Sequence, residues 1–402
     1  MKKHPTFSRN LRPEYQFILL CSRKCLTPEA ARTISELICE GLDWRCVVKT
    51  AVTHKVAPLL YKNLTAFNAP GLPQEWMEIL RKHYERNARR NIYLAAQLVL
   101  LLEALRAENI PAIPYKGPVL AALAYGDLTL REFDDLDLMI PHQHIANAFR
   151  RMIADGFKAE ITAAAGQSAG QVVPGQYSFQ KDGGRCHVEL HTERTLRYYP
   201  KRLDIAELVS QSSSIPLAGH MVPSLAPESL LMVLGVHGSK HFWDRLTWIC
   251  DIAELLQLQG GLQWDLAIEQ ARRFECERMV LLGSALANEL LGVQLPGPIA
   301  ARLSELPEIH SISRRLASNL FSDTPNVPGV AERILVRVQT SQSVVQGLRY
   351  CYDLAMIPTE EDLEWASWAS GVAPVYRLLR PLRLLRKYGT GLFHRHSADR
   401  LQ

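Results

Sequence analysis

No apolar run in the chain is long enough to cross a bilayer. The longest, Ile92–Leu105, carries Gln97 and Glu103 and falls short of the roughly 20 residues a spanning helix needs. The first residues are followed only by the brief apolar run Phe17–Cys21, too short for a secretory signal. The eight cysteines, at 21, 25, 39, 46, 186, 250, 276 and 351, are scattered. Only Cys21 and Cys25 stand close, and no second pair or histidine cluster completes a zinc spacing. No repeat recurs at a fixed period. These absences predict a soluble, cytoplasmic protein whose thiols are reduced and mostly buried. Charge of one sign is also scarce outside one segment. Residues 376–402 hold seven Arg and Lys against one Asp, leaving 39 basic and 40 acidic residues elsewhere. A neutral body argues against a broad nucleic-acid surface.

At 402 residues the chain has room for two or three domains and a sizeable core. Residues 14–110 read as helices. Thr27-Pro28-Glu29 supplies a helix start, Asp43–Tyr61 carries one continuous 3.6-residue pattern, and Trp76–Ala107 is a long helix bearing the basic run Arg86, Arg89 and Arg90. That run reads as a solvated face or as a phosphate contact. Helices return from Ala206 to the end, including one over Ile334–Tyr352. Between them lies an α/β segment. Ile110–Tyr115 reads as a strand, Gly117-Pro118 as a turn and Val119–Tyr125 as a short helix. Asp135–Ile140 is a strand, Pro141 opens a helix over His142–Asp155, and Phe157–Ile161 is a further strand. Thr162–Pro174 reads as a loop, either a connector or a substrate lid. Tyr177–Gln180 and Arg185–Leu190 read as a hairpin about Asp182-Gly183-Gly184.

The chemistry concentrates on the acidic strand. Side chains two apart on a strand share a face, so Asp135 and Asp137 point the same way, opposite Leu136 and Leu138. Adjacent carboxylates repel unless a cation sits between them, and hard oxygen ligands suit Mg²⁺ or Mn²⁺. Glu189, between Val188 and Leu190, offers a third carboxylate from a neighbouring strand. Two metal ions bridged by such a set can activate an attacking hydroxyl and neutralise a pyrophosphate leaving group, which predicts metal-assisted phosphoryl or nucleotidyl transfer. Lys116 and Gly117, where a strand turns into a helix, are placed to hold phosphate. Arg131 reads as a phosphate clamp or as the partner of an acid, and His191 as site-lining or as an ordinary half-buried histidine. Asp134, one residue out of phase, points away.

A second constellation runs from His237 to Asp251. Arg245, Trp248 and Asp251 stand at three-residue spacings, near one helical face. Lys240 and Arg245 could face the triphosphate, or the helix could simply pack by Phe242, Trp243 and Trp248, with Arg245–Asp251 interactions merely structural. His237 and His241 have zinc spacing but lack a third ligand. The tail at 376–400 alternates Arg with Leu in a basic amphipathic pattern broken by Pro381, fit for a membrane surface, a protein partner or a solvated docked helix.

Lys116-Gly117, Tyr125, Arg131 and Asp135-Leu-Asp137-Leu-Met-Ile together resemble the core of a bacterial uncharacterised nucleotidyltransferase family within the DNA polymerase β superfamily. Val188-Glu189-Leu190-His191 and Arg245-Leu-Thr-Trp248-Ile-Cys-Asp251 resemble its two following segments. The resemblance covers roughly Ile110–Leu255. It implies an α+β fold, with a nucleotidyltransferase-like small mixed β-sheet core at 109–195 between helical regions at 1–108 and 196–402. It also implies catalytic carboxylates from Asp135, Asp137 and Glu189, Mg²⁺ (or Mn²⁺), and a nucleoside triphosphate such as ATP as donor. Two departures stand out: Gly117 is followed by Pro118 where the wider superfamily has Ser, and the third acid is Glu. The expected reaction moves a nucleoside monophosphate to an unidentified small-molecule, saccharide or protein acceptor. An RNA terminal transferase and a catalytically silent nucleotide-binding module of a surface-polysaccharide or peptide-modification system are the alternatives.

Overall fold

The computed structural model describes residues 11–67, 71–159, 171–173, 175–193, 201, 203–258, 262–321 and 329–356. The basic tail and most of the expected loop at 162–174 lie outside these residues. Helices α1 (Pro13–Cys21), α2 (Pro28–Glu40), α3 (Trp44–Thr53), α4 (Ala57–Phe67) and α5 (Gln74–Ala107) come first. Thr27 caps α2 by accepting the Ala30 N–H, and Asp43 caps α3 by accepting from Cys46, each satisfying an orphan donor of a first turn. The single helix expected over Asp43–Tyr61 is two. Pro58 fits only a first turn, and Lys55, at φ +55°, reverses the chain between α3 and α4.

The α/β segment follows. Strand β1 (Ile113–Pro114) leads into the four-residue α6 (Gly117–Leu120) and a π-helical turn over Ala121–Tyr125, then β2 (Asp135–Met139), α7 (Ile145–Ala154), β3 (Lys158–Ala159), β4 (Gln171–Val173), β5 (Gln176–Lys181) and β6 (Cys186–His191). The sheet runs β1-β2-β6-β5-β3, with β4 also on β5. It is mixed: β2 and β6 are parallel and the other pairs antiparallel. Strand β4 falls inside the stretch expected to be loop, because Gln171–Val173 finds the open edge of β5. One face of the sheet buries Leu136, Leu138, Val188 and Leu190 against Leu94, Leu98, Leu101 and Leu105 of α5 and Met152 of α7. The polar face is left for the site.

The C-terminal region, expected from the sequence to be helical, is not wholly so. After α8 (Ile205–Ser210), strands β7 (Ser213–Leu217) and β8 (His220–Ser224) form a hairpin. Its two-residue turn, Ala218-Gly219, has positive φ at both positions, the geometry that suits the twist of paired strands. Helices α9 (Pro227–Lys240), α10 (Leu246–Leu256), α11 (Trp264–Arg273), α12 (Glu277–Leu291), α13 (Gly297–Ser304), α14 (Pro307–Leu320), α15 (Val330–Thr340) and α16 (Val344–Met356) follow. The expected helix over Ile334–Tyr352 breaks between α15 and α16, where Ser343 Oγ accepts the Gln346 N–H and Gln346 Oε1 accepts the Gln342 N–H. The first bond caps the new helix, and the second ties its first turn back to the residue before the cap. Phe17 and Leu60 of the N-terminal helices share one core with Leu231, Ile252, Leu282 and Leu286 of the C-terminal ones. No helix among the described residues is long and apolar enough to cross a membrane.

Candidate active site

Strand register builds the site. Asp137 of β2 stands beside Glu189 of β6, and Met139 beside His191, so the period-two alternation of each strand brings their polar side chains to one face. Oxygen and nitrogen donors of Asp137, Glu189 and His191 all lie within 4.8 Å of one another. His191 Nε2 is 3.1 Å from Asp137 Oδ1 and 3.3 Å from Glu189 Oε2. Tyr115, just past β1, donates its hydroxyl to Asp137 Oδ1 at 3.3 Å and meets the His191 ring edge-on. Lys116 Nζ lies 3.6 Å from Asp137 Oδ2 and over the Tyr115 ring. Asp137 is 5 % exposed, Glu189 30 %, so the pair offers one sealed and one reachable carboxylate.

The carboxylates do not ionise alike. Repulsion from Asp137 and burial push the Asp135 carboxyl up to about 6. Asp137 moves the other way: burial resists its charge, but Lys116 and the hydrogen bond from His191 outweigh that and hold it below the ordinary carboxylate range. Burial likewise opposes a charge on His191, and its bonds to Asp137 and Glu189 raise its pKa nonetheless. A surplus of buried acid beside an imidazole is the donor chemistry of a divalent-cation site.

Gly117 is required where it stands. Its φ is +53°, and a Cβ there would meet the backbone oxygen of Asp135 at 3.1 Å, so only glycine lets the turn press against the acidic strand. The loop before that strand is tied to α5: Asn91 donates to the carbonyls of Leu128 and Arg131 at 2.6 and 2.7 Å, and Asn87 to that of Thr129 at 3.0 Å. Asp134 points away from the site and pairs with Lys55 and Arg90, which gives part of the basic run of α5 an ion-pairing role.

Arg131 forms a two-pronged pair with Asp251 of α10, Nε to Oδ1 at 2.8 Å and Nη2 to Oδ2 at 3.0 Å. Tyr125 donates its hydroxyl to the same Oδ1 at 2.8 Å. Three positions singled out as separate motif residues are therefore one buried network, and Asp251 is bound to Arg131 where the sequence pointed to Arg245. Lys240 ends α9 and Arg245 precedes α10. Between these helices Phe242 and Trp243 both adopt positive φ, turning the chain so that the rings of His237, His241 and Trp248 cluster, tilted or edge-on, with centroids 4.8–5.2 Å apart. Burial and then the Lys116 charge hold His237 well below its ordinary range. Burial, Lys240, Lys116 and Arg245 lower His241 to about 3. Both rings are neutral, and the three cations share their surroundings. Tyr115 and the contact of His191 with both acids were not foreseen. The only signal for His191 was its place two residues after Glu189.

Among solved structures, the chain is similar to an antigenic nucleotidyltransferase-like protein from Paracoccidioides brasiliensis, with 16 % identity over 55 % of this chain and 92 % of that one, and a TM-score of 0.26. That likeness is too low to carry an argument. No curated protein matches. The model of a family described as uncharacterised nucleotidyltransferase matches residues 40–292, a span that takes in both acidic strands, the Arg131–Asp251 network and the clustered rings. By that match the chain belongs to the uncharacterised nucleotidyltransferase family.

Proposed function

We propose that the protein transfers a nucleoside monophosphate from a nucleoside triphosphate to an acceptor bearing a hydroxyl or phosphate oxygen, with Asp135, Asp137 and Glu189 as its catalytic carboxylates. The observation that carries this is the convergence of Asp137, Glu189 and His191 in parallel register, with Asp135 two residues before Asp137 on the same strand and its carboxyl raised by the Asp137 charge and burial. The acceptor oxygen forms a bond to the α-phosphorus, the α–β bridging P–O bond breaks, and pyrophosphate leaves. When bound by these acids, Mg²⁺ or Mn²⁺ would supply charge neutralisation for the phosphates and acidify the acceptor hydroxyl.

The chain's own residues divide the remaining work. Glu189, the more exposed acid, is reachable by the acceptor and takes part in drawing off its proton. Asp137 is fixed from both sides by Tyr115, His191 and Lys116, so its oxygens are pre-organised. Pro118 removes a backbone N–H and a hydroxyl from the phosphate turn, so phosphate binding leans on Lys116, supported by Lys240 and Arg245 around the clustered rings. Gly117 lets the phosphates approach the turn. Arg131 serves nucleotide binding indirectly, by fixing α10 and the Trp248 ring it carries. The C-terminal helices cover the cleft, and residues 109–195 form the catalytic core between the two helical regions.

The test is transfer of label from α-³²P-nucleoside triphosphates in cell extract supplemented with Mg²⁺ or Mn²⁺. Asp137→Ala should abolish metal-dependent labelling while circular dichroism stays native. An Asp137→Ala protein that labels acceptors at the wild-type rate contradicts the assignment.

A further inference from the structure

We infer that the metal site has a nitrogen ligand: His191 joins Asp137 and Glu189 in holding the cation, and this makes the site select Mn²⁺ over Mg²⁺. The inference rests on the metal-dependent reading above and adds which atoms touch the ion. His191 Nε2 is nearly equidistant from one oxygen of each acid, at 3.1 and 3.3 Å. It therefore stands where a third ligand belongs, between two carboxylates that now share its proton. A bound cation takes the place of that proton, which leaves to solvent.

The imidazole is held for this task. Register fixes His191 opposite Met139, and its carbonyl accepts the Ile140 N–H at 2.9 Å. The Tyr115 ring meets it at 5.7 Å and 75°. A buried imidazole packed against Tyr115, on a strand fixed by its backbone bonds, keeps its orientation when its hydrogen bonds are exchanged for a metal bond. The consequence follows from ligand preference. Mg²⁺ gives up water reluctantly and favours oxygen, whereas Mn²⁺ binds more tightly than Mg²⁺ where an imidazole is offered with carboxylates. An all-carboxylate site lacks that bias. The competing role for His191 is positioning alone: a hydrogen bond that orients the acids, with oxygen atoms as the only protein ligands.

Mn²⁺ alone, added to the full-length chain freed of metal by chelation, distinguishes the two by pulsed electron paramagnetic resonance. Direct ligation gives ¹⁴N coupling of an imidazole bound to Mn²⁺ in the wild type, changed to the ¹⁵N pattern when histidine is ¹⁵N-labelled. That spectrum needs no variant, so it stands even if His191→Ala folds poorly. In His191→Ala the coupling should vanish and Mn²⁺ affinity should fall about tenfold or more, while Mg²⁺, measured by displacement of Mn²⁺, changes far less. Bound Mn²⁺ without nitrogen coupling, or coupling that survives in His191→Ala, overturns the His191 ligand; equal losses for both ions overturn the Mn²⁺ selectivity; each leaves the metal-dependent reading intact. Failure of the wild type to bind Mn²⁺ at all overturns both.

Discussion

Replacing Asp251 with Ala removes the acceptor of three donors at once: Arg131 Nε and Nη2 and the Tyr125 hydroxyl, all within 2.8–3.0 Å. Asp251 is 1 % and Arg131 7 % exposed, so water cannot replace the lost partner. Breaking a buried ion pair from one side costs about 3–5 kcal/mol, and the stranded phenol adds on the order of 1 kcal/mol. Against a typical total stability of about 5–15 kcal/mol, that is a large share. For a chain of 402 residues the melting temperature should drop by roughly 5–7 °C. The pair variant Arg131→Met with Asp251→Leu removes both charges and should recover most of the loss. Urea unfolding of the wild type, the single variants Arg131→Met and Asp251→Leu, and the pair then yields a coupling energy of at least about 2 kcal/mol. A single-variant loss below about 1 kcal/mol, or an additive cycle, would refute the reasoning. If Arg131 instead acts directly on phosphate, Arg131→Met will lose nucleotide binding at unchanged stability.

Three further outcomes follow. Asp135 has a folded-state pKa of about 6 against 3.8 for the free group; the folded state thus binds its proton more tightly, and the associated stability, up to about 3 kcal/mol, is present below pH 4 and lost as pH rises to 6. Thermal melts in chelator should show Asp135→Asn gaining on the wild type across that window, and parallel curves would count against the burial and repulsion invoked. The depressed Asp137 acts with the opposite sign, losing its contribution as pH falls below the ordinary carboxylate range. Gly238→Ala would put a Cβ 2.4–2.5 Å from three ring carbons of Trp243, itself 1 % exposed; the urea midpoint should fall by the equivalent of about 1–3 kcal/mol, with relief in the pair with Trp243→Leu. No fall in the single variant would mean the ring has room that the packing denies.

The acidic strand was the most legible part of the site because strand alternation is a short-range rule: Asp135, Asp137 and Glu189 could be placed on their faces from neighbours alone. The Asp182-Gly183-Gly184 hairpin was legible for a related reason, since its turn residues take positive φ readily. The β7–β8 hairpin was not, because Ala218-Gly219 is a weak version of the turn signal and Pro216 and Pro223 argue against strands. Boundaries set by single residues were also missed: Lys55 in a left-handed conformation and the Ser343–Gln346 cap both interrupt patterns that read as continuous. What no local pattern could show was pairing across distance. Arg131 and Asp251 are 120 residues apart, and the three-residue spacing of Arg245, Trp248 and Asp251 drew attention to the wrong partner. His191 was ambiguous for the same reason, since its role depends on strand β2, more than fifty residues earlier.

The central claim is that these acids form a metal-dependent nucleotide site, and calorimetric titration of the four nucleoside triphosphates with Mg²⁺ or Mn²⁺ tests it most directly. We expect one triphosphate to bind the wild type only when metal is present, and the Asp135→Ala/Asp137→Ala protein to show no such binding. Failure of every triphosphate to bind the wild type, or equal binding by the double variant, would contradict the claim.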